Sequence, residues 1–340
     1  HQGHLGVDVS GEIGGQVGVG DGLRASHIDG EFAGKVEGLH VVPKIGALRD
    51  AARDHTQHRH EGEGDPLRGS FVPGSKRPPV ERILTDKGRA RGVVTADGRE
   101  ITARFVAANV HPQVLLKKML GHEPLEENTQ RRIDNYRSHS ATFRMNVALS
   151  ELPQFTSMAG RGDDHFMGAI EVCPSLGYIQ DAYHDARLQG WSKRPVISMQ
   201  VPSTQDDSLA PPGGHVASLF CQHFQRHLPN GQNWDDVREQ VADQVIDTID
   251  QYAPNFRASV VGRQIKTPLD IERDLNMVGG DIFHGALHLD QFYSLRPIPG
   301  HAAHRMPVEG VYLCGSGAHP GGGVSGLPGH NAAHAILRDR

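Results

Sequence analysis

An α/β fold with a second, α+β part is what the sequence predicts, and three observations predict it. Residues 311–340 read as a short buried strand, a glycine-rich turn and a helix. Residues 80–108 read as short strands joined by tight turns. Residues 143–252 alternate apolar and polar side chains and then change to a helical period. With 340 residues, 37% of them hydrophobic, the chain can build two cores.

The first 78 residues are dense in Gly, His and Arg and hold no sustained period of 2 or 3.6. Gly20-Asp21-Gly22-Leu23-Arg24-Ala25 has the letters of a G-x-G-x-x-A turn, with Glu37 at a suitable distance for a ribose-binding acid. That motif needs an apolar strand before it and a helix after it. Here glycines precede it and Asp29-Gly30 interrupts any helix beyond it, so the context does not support it. Ile45-Gly46-Ala47-Leu48-Arg49-Asp50-Ala51-Ala52 can start a helix. His55-Thr56-Gln57-His58-Arg59-His60 lacks a second ligand cluster and reads as a solvated loop, so no metal site is expected.

From Val80 the pattern is regular. Residues 80–84 form a strand, Asp86-Lys87-Gly88 a turn, 91–95 a second strand, Asp97-Gly98 a hairpin turn and 100–108 a third strand. Residues 112–120 form a short helix. Residues 143–149 alternate, which packs one face and turns the other toward something polar or a cavity; 195–201 and 215–221 are further strands. Asn233 caps a helix running to about Tyr252, with Val237, Val241, Val245, Ile249 and Tyr252 on its apolar face and Asp235, Asp236 and Glu239 at the favoured end of its dipole. Ala253-Pro254-Asn255 stops it. Residues 267–274 and 279–285 are loops, and Arg296-Pro297-Ile298-Pro299-Gly300 leads into the last segment.

That segment carries the most chemistry. Glycines between Gly315 and Gly326 remove side chains where the backbone must come close to something. In the helix beyond, Ala332, Ala333, Ile336 and Leu337 face the core. The free N–H groups of its first turn favour an anionic group such as a diphosphate. Composition alone also fits a plain surface loop; the order of strand, turn and helix favours binding.

A net charge of -5 and a pI near 6.5 argue against a nucleic-acid partner. No apolar run is long enough to span a membrane. Cys173, Cys221 and Cys314 are widely spaced, which reads as thiols of a reducing, cytoplasmic compartment rather than a disulfide frame. Cys314 reads as a small buried residue before it reads as a redox group.

Tyr252-Ala253-Pro254-Asn255-Phe256, Thr267-Pro268-Leu269-Asp270, Gly280-Asp281-Ile282-Phe283-His284-Gly285, Arg296-Pro297-Ile298-Pro299-Gly300 and residues 313–333 resemble, in order and spacing, the FAD-dependent phytoene-desaturase-like oxidoreductases of the amine-oxidase superfamily. Val80-Glu81-Arg82-Ile83 and the hairpin after it extend the resemblance over residues 79–340.

It implies a partial FAD/NAD(P)-binding, Rossmann-like flavin domain with an inserted α+β substrate domain. Residues 79–112 would be a β-meander, 113–300 the substrate domain and 301–340 the returning flavin segment, with 1–78 unassigned. It places Val80 by the adenine. Gly315, Ser316, Gly317, His319, Gly321, Gly322, Gly323, Val324 and Gly326 would surround the ribityl-diphosphate and the flavin edge. His319 and then His284 are the candidate catalytic residues, with a structural histidine as the alternative reading of each.

The sequence departs from the family in lacking an acid in the C-terminal motif. It also lacks an opening strand-GxGxxG-helix, which points to an N-terminally incomplete or frame-disturbed chain. The implied activity is hydride transfer from a C–H bond of a small apolar, isoprenoid-like substrate to FAD, with an unassigned electron acceptor and peripheral membrane contact as an option. An amine-oxidase-like reaction would need an aromatic pair, for which Phe292 and Tyr293 are candidates. A non-catalytic interaction protein or an inactive fragment is the alternative from another class.

Overall fold

The computed structural model describes residues 78–139 and 141–340, together with the backbone of 39–42. The G-x-G-x-x-A letters at 20–25, the helix at 45–52 and the histidines at 55–60 lie outside the described residues. The chain divides into two compact units, one holding Arg137–His288 and the other holding 78–136, the strand at 39–42 and Leu289–Arg340.

In the second of these, β1 (Leu39–Val42) is followed by β2 (Val80–Asp86), β3 (Arg89–Thr95) and β4 (Glu100–Thr102), of which the last three make an antiparallel meander in the order β2-β3-β4. Lys87 and Gly88, at φ +52° and +73°, form the two-residue left-handed turn whose twist suits a hairpin. At the next turn the Thr95 hydroxyl donates to Asp97 Oδ1 at 2.5 Å.

The expected single strand at 100–108 is two. Its first half is exposed and completes the meander. Its second half, β5 (Phe105–Ala108), is buried at every position and joins a parallel sheet beside β1. Alternation ends at Ala103-Arg104, and a short run buried on both sides suits a parallel strand. The short helix expected at 112–120 is a π-helical turn, Val114–Met119, that buries Leu115, Leu116 and Met119. Then comes α1 (Glu127–Asp134), which the sequence hides because Ile133 is its one strongly apolar residue.

The unit of Arg137–His288 is built on one antiparallel sheet. Its elements are β6 (Ala141–Leu149), β7 (Ile170–Val172), α2 (Leu176–Gln189), β8 (Trp191–Gln200), β9 (His215–Phe224), α3 (Trp234–Asp250), α4 (Phe256–Ser259), β10 (Val260–Lys266) and α5 (Pro268–Leu275). The strand order is β10-β6-β9-β8-β7. On one face Phe143, Met145, Val147, Ile197, Met199 and Leu219 pack with Val237, Val241, Val245 and Ile249 of α3. The side chain of Asn233 caps that helix by accepting from the Asp235 N–H at 3.2 Å. Thr267 and Asp270, expected in a loop, form a reciprocal capping box that starts α5, with Pro268 in the first turn. The signal was present as Thr-Pro-x-Asp.

Returning to the other unit, β11 (Val311–Leu313) pairs in parallel with β5, giving the order β1-β5-β11, and α6 (Leu327–Arg338) comes after it. Ala335 and Ile336 of α6 pack with Phe105, Ala107 and Tyr312 of the strands. The stripe facing the sheet is Ala332, Ala335 and Ile336; Ala333 is exposed and Leu337 half-buried, so the helix is rotated in phase from the expected face. Ile83, Val93, Leu115, Ile133, Ile298 and Leu313 share one core, so residues 113–136 and 289–300 pack with this unit rather than with the sheet of β6–β10. Among the described residues no helix is long and apolar enough to cross a membrane.

Candidate functional site

The parallel strands β5 and β11 end side by side, with the Cys314 N–H donating to the Ala108 carbonyl at 3.0 Å. Ligands of open α/β sheets gather beyond the carboxyl ends of such strands. The glycine loop begins there. A Cβ on Gly315 would run into Oδ1 of Asn109, so this glycine serves the close approach of two strand ends. Ala318, fully buried, closes a turn back to the Gly315 carbonyl at 2.9 Å.

Further along, the backbone takes values that favour glycine: φ is +120° at Gly321, +116° at Gly323 and +71° at Gly326. Among the described residues nothing lies within 4 Å of where a side chain would start at Gly323 or Gly326, and at Gly321 the near atoms belong to Arg296. Val324 stands 74% exposed at φ +49°, a costly conformation for a β-branched residue. The loop therefore presents bare backbone, which is the surface a phosphate or a flat ring can approach. Gly326 is the N-cap of α6 and offers no side chain. Pro328 contributes no N–H to the first turn and the Leu327 N–H turns to Ser325 Oγ at 3.3 Å, so that turn is poorer in donors than the sequence suggests.

Arg296, fully buried, lies under the loop: its Nε donates to the Ser316 carbonyl at 2.9 Å and one terminal nitrogen to the Gln291 carbonyl at 3.1 Å. Sequence reasoning placed it only in a connecting segment. Its signal was a cation between apolar residues and prolines. Asn109 was likewise missed as the residue that fills the space at Gly315.

His319 is half-buried in the loop, and its Nδ1 is buried without a hydrogen-bond partner among the described residues. Its neighbour His304 donates from Nδ1 to the Leu313 carbonyl at 3.0 Å; burial holds the His304 pKa below the usual imidazole value, with the nearby His319 adding to the effect. Val80 opens β2, opposite Thr95. His284 belongs to the other unit, where it is buried at φ +56° in the turn after Asp281. Phe292 and Tyr293 have ring centroids 5.6 Å apart at 36°, too close to admit a third ring at two van der Waals contacts of about 3.5 Å each.

A cleft of about 590 Å³ in this unit is lined by His304, Arg305, Asn331, His334 and Arg338, and none of the glycine-loop residues borders it. Cys173, Cys221 and Cys314 are unbridged. Burial pushes the Cys314 thiol up to about 11 and the Cys221 thiol higher still, which makes both poor nucleophiles.

No family model matches the chain. Pyridine nucleotide-disulfide oxidoreductase domain-containing protein 2 of Rattus norvegicus is 42% identical over 319 residues, 90% of this chain and 53% of the rat protein. A lycopene-forming phytoene desaturase of Paracoccus is 28% identical over 75% of this chain and 48% of its own. An oxidoreductase of known structure from Methanosarcina mazei covers 77% of this chain and 49% of its own at 17% identity and a TM-score of 0.48. The chain spans about half the length of the curated relatives it matches. By this kinship the chain is related to pyridine nucleotide-disulfide oxidoreductase domain-containing protein 2 along nine-tenths of its residues and, more distantly, to phytoene desaturases along three-quarters of them.

Proposed function

We propose that this chain carries one part of an FAD site and the substrate-binding unit of an oxidoreductase that removes a hydride from a C–H bond of a small apolar, isoprenoid-like substrate. The observation that carries the reading is the bare backbone of the glycine loop, where Gly321, Gly323 and Gly326 hold positive φ and no described residue lies within 4 Å of a Cβ position at Gly323 or Gly326. Kinship to phytoene desaturases supports reading that loop as the seat of the cofactor. Bound FAD would supply the hydride acceptor, the hard part of such chemistry.

The chain's own residues have the remaining tasks. Val80 would lie by the adenine, and Gly315, Ser316, Gly317, Gly321, Gly322, Gly323, Val324 and Gly326 would line the ribityl-diphosphate and ring edge. Arg296 sets the loop by holding the Ser316 carbonyl. His319, with spare hydrogen-bonding capacity at its buried Nδ1, is the first candidate to orient the reacting groups or accept the proton released after hydride loss. His284 is the second. The apolar substrate leaves the protein to position it and exclude water.

Titration of the purified chain with FAD tests the reading. A flavin spectrum retained through gel filtration is expected, and Gly321→Val, which forces a β-branched residue to φ +120° beside Arg296, is expected to lose it while keeping the far-UV spectrum of the native chain. Protein that stays colourless in the presence of FAD would overturn it.

A further inference from the structure

On the sheet of β6–β10 the residues paired across strands project to a common face. One face is the core. The other carries the row Lys266, Arg144, Phe220 and Ser198, and next to it the row Gln264, Asn146, Ser218 and Gln200. Gln264, Asn146 and Gln200 are exposed. Across β10, β6, β9 and β8 every polar side chain in these two rows can donate a hydrogen bond, and the one carboxylate in line with them is on β7.

Arg144 is at the centre. Its guanidinium lies over the Phe220 ring, 5.2 Å from the centroid, and among the described residues makes one long hydrogen bond, to Ser218 Oγ at 3.4 Å. The neighbouring cation Lys266 is already paired with Asp274. In this unit Arg226, Arg238, Arg257, Arg263 and Arg273 each reach a carboxylate, whereas Arg194 lies, like Arg144, over a ring, that of Tyr178. That acid, Glu171 of β7, lies opposite Ser198 of β8, three strands and so about 14 Å from Arg144. A half-buried cation without a counter-ion among the described residues is costly, and burial pulls this guanidinium below its ordinary pKa. Phe220 packs against the guanidinium, whose N–H donors match the geometry of a planar or tetrahedral anion.

We infer that this face of the sheet binds the anionic end, a carboxylate or a phosphate, of an otherwise apolar ligand, with Arg144 as the fork that grips it and Ser218 and Asn146 beside it. The inference rests on reading this unit as the substrate-binding one, and it narrows the substrate from a plain hydrocarbon to an amphiphile with an acidic head. Phe220 under the fork supplies the first apolar contact for the ligand's body.

Calorimetric titration of the full chain, with and without FAD, by decanoate, decyl phosphate and decanol tests this. At least one of the two anions is expected to bind more tightly than decanol, and whichever does so identifies the head group. Arg144→Met, which keeps a similar stem over Phe220, is expected to weaken that anion by about tenfold to a hundredfold and to leave decanol unchanged. Arg144→Lys retains the charge without the planar fork and is expected to lose several-fold, which decides the matter if the Met variant fails to fold. Neither anion binding better than decanol, or undiminished anion affinity in a folded Arg144 variant, would overturn the inference. Heat of anion binding is read independently of flavin colour, so a chain that takes FAD and no anion, or an anion and no FAD, tells which of the two readings has failed.

Discussion

Gly315 and Asn109 act as one device, a side chain of one strand end occupying the place a Cβ would take on the other. Gly315→Ala is therefore expected to destabilise the chain by about 1–3 kcal/mol in urea unfolding, and Asn109→Ala in the same chain should restore part of that loss by making room. Cysteine reactivity is a second residue-scale matter. With its pKa pushed up to about 11 by burial, Cys314 holds roughly one thiolate in a thousand at pH 8. Its alkylation by iodoacetamide, monitored by mass spectrometry, should be slow at that pH and rise about tenfold per pH unit until the fold gives way. Rapid labelling of Cys314 at neutral pH would contradict its burial in the folded chain.

Single helices here are set by their ends as much as by their faces. α5 exists because Thr267 and Asp270 satisfy each other's backbone N–H groups, and Asp270 also meets Arg238 and Arg273. Thr267→Ala should cost about 1 kcal/mol, within the 0.5–2 kcal/mol known for such caps, measured as a shift of the urea midpoint. α3 depends on its face. Ile249, fully buried against the sheet, should cost about 2–5 kcal/mol when cut to Ala, several times the cap, because a cavity is added to the lost burial. If the two variants cost the same, the face of α3 packs less closely than its burial indicates.

At the scale of the whole molecule, His139 and His223 in the sheet unit and His304 beside the glycine loop are described imidazoles whose pKa values are held below the ordinary one, with burial the leading cause in each. A histidine whose folded pKa is depressed gives stability that is complete above its unfolded value near 6.5 and is lost as pH falls, because the unfolded chain takes up a proton that the folded chain resists. Melting temperature should therefore fall between pH 7 and pH 5, a window above the range in which the carboxylates titrate. His304→Gln, which removes one of these groups, should flatten that fall. An unchanged pH profile in this variant would show that His304 titrates alike in the folded and unfolded chain.

The sequence by itself determined the elements whose cause is local. The hairpin at Lys87-Gly88 comes from residues that accept positive φ, the alternating strand β6 and the face of α3 come from side-chain period, and the segment after Val311 announces a strand, a bare loop and a helix. Residues 313–333 of that segment also carry part of the family resemblance. Tertiary structure decided what depends on contact between distant residues. It split 100–108 between two sheets, because a strand's choice of neighbour lies outside its own sequence. It moved 113–136 and 289–300 into the core with Leu313, and rotated α6 to bury Ala335 in place of Ala333. It put Arg296 under the glycine loop and left Arg144 on Phe220 without a carboxylate among the described residues. Neither arginine could be singled out along the chain, since what a buried cation does is fixed by the partners that folding brings to it.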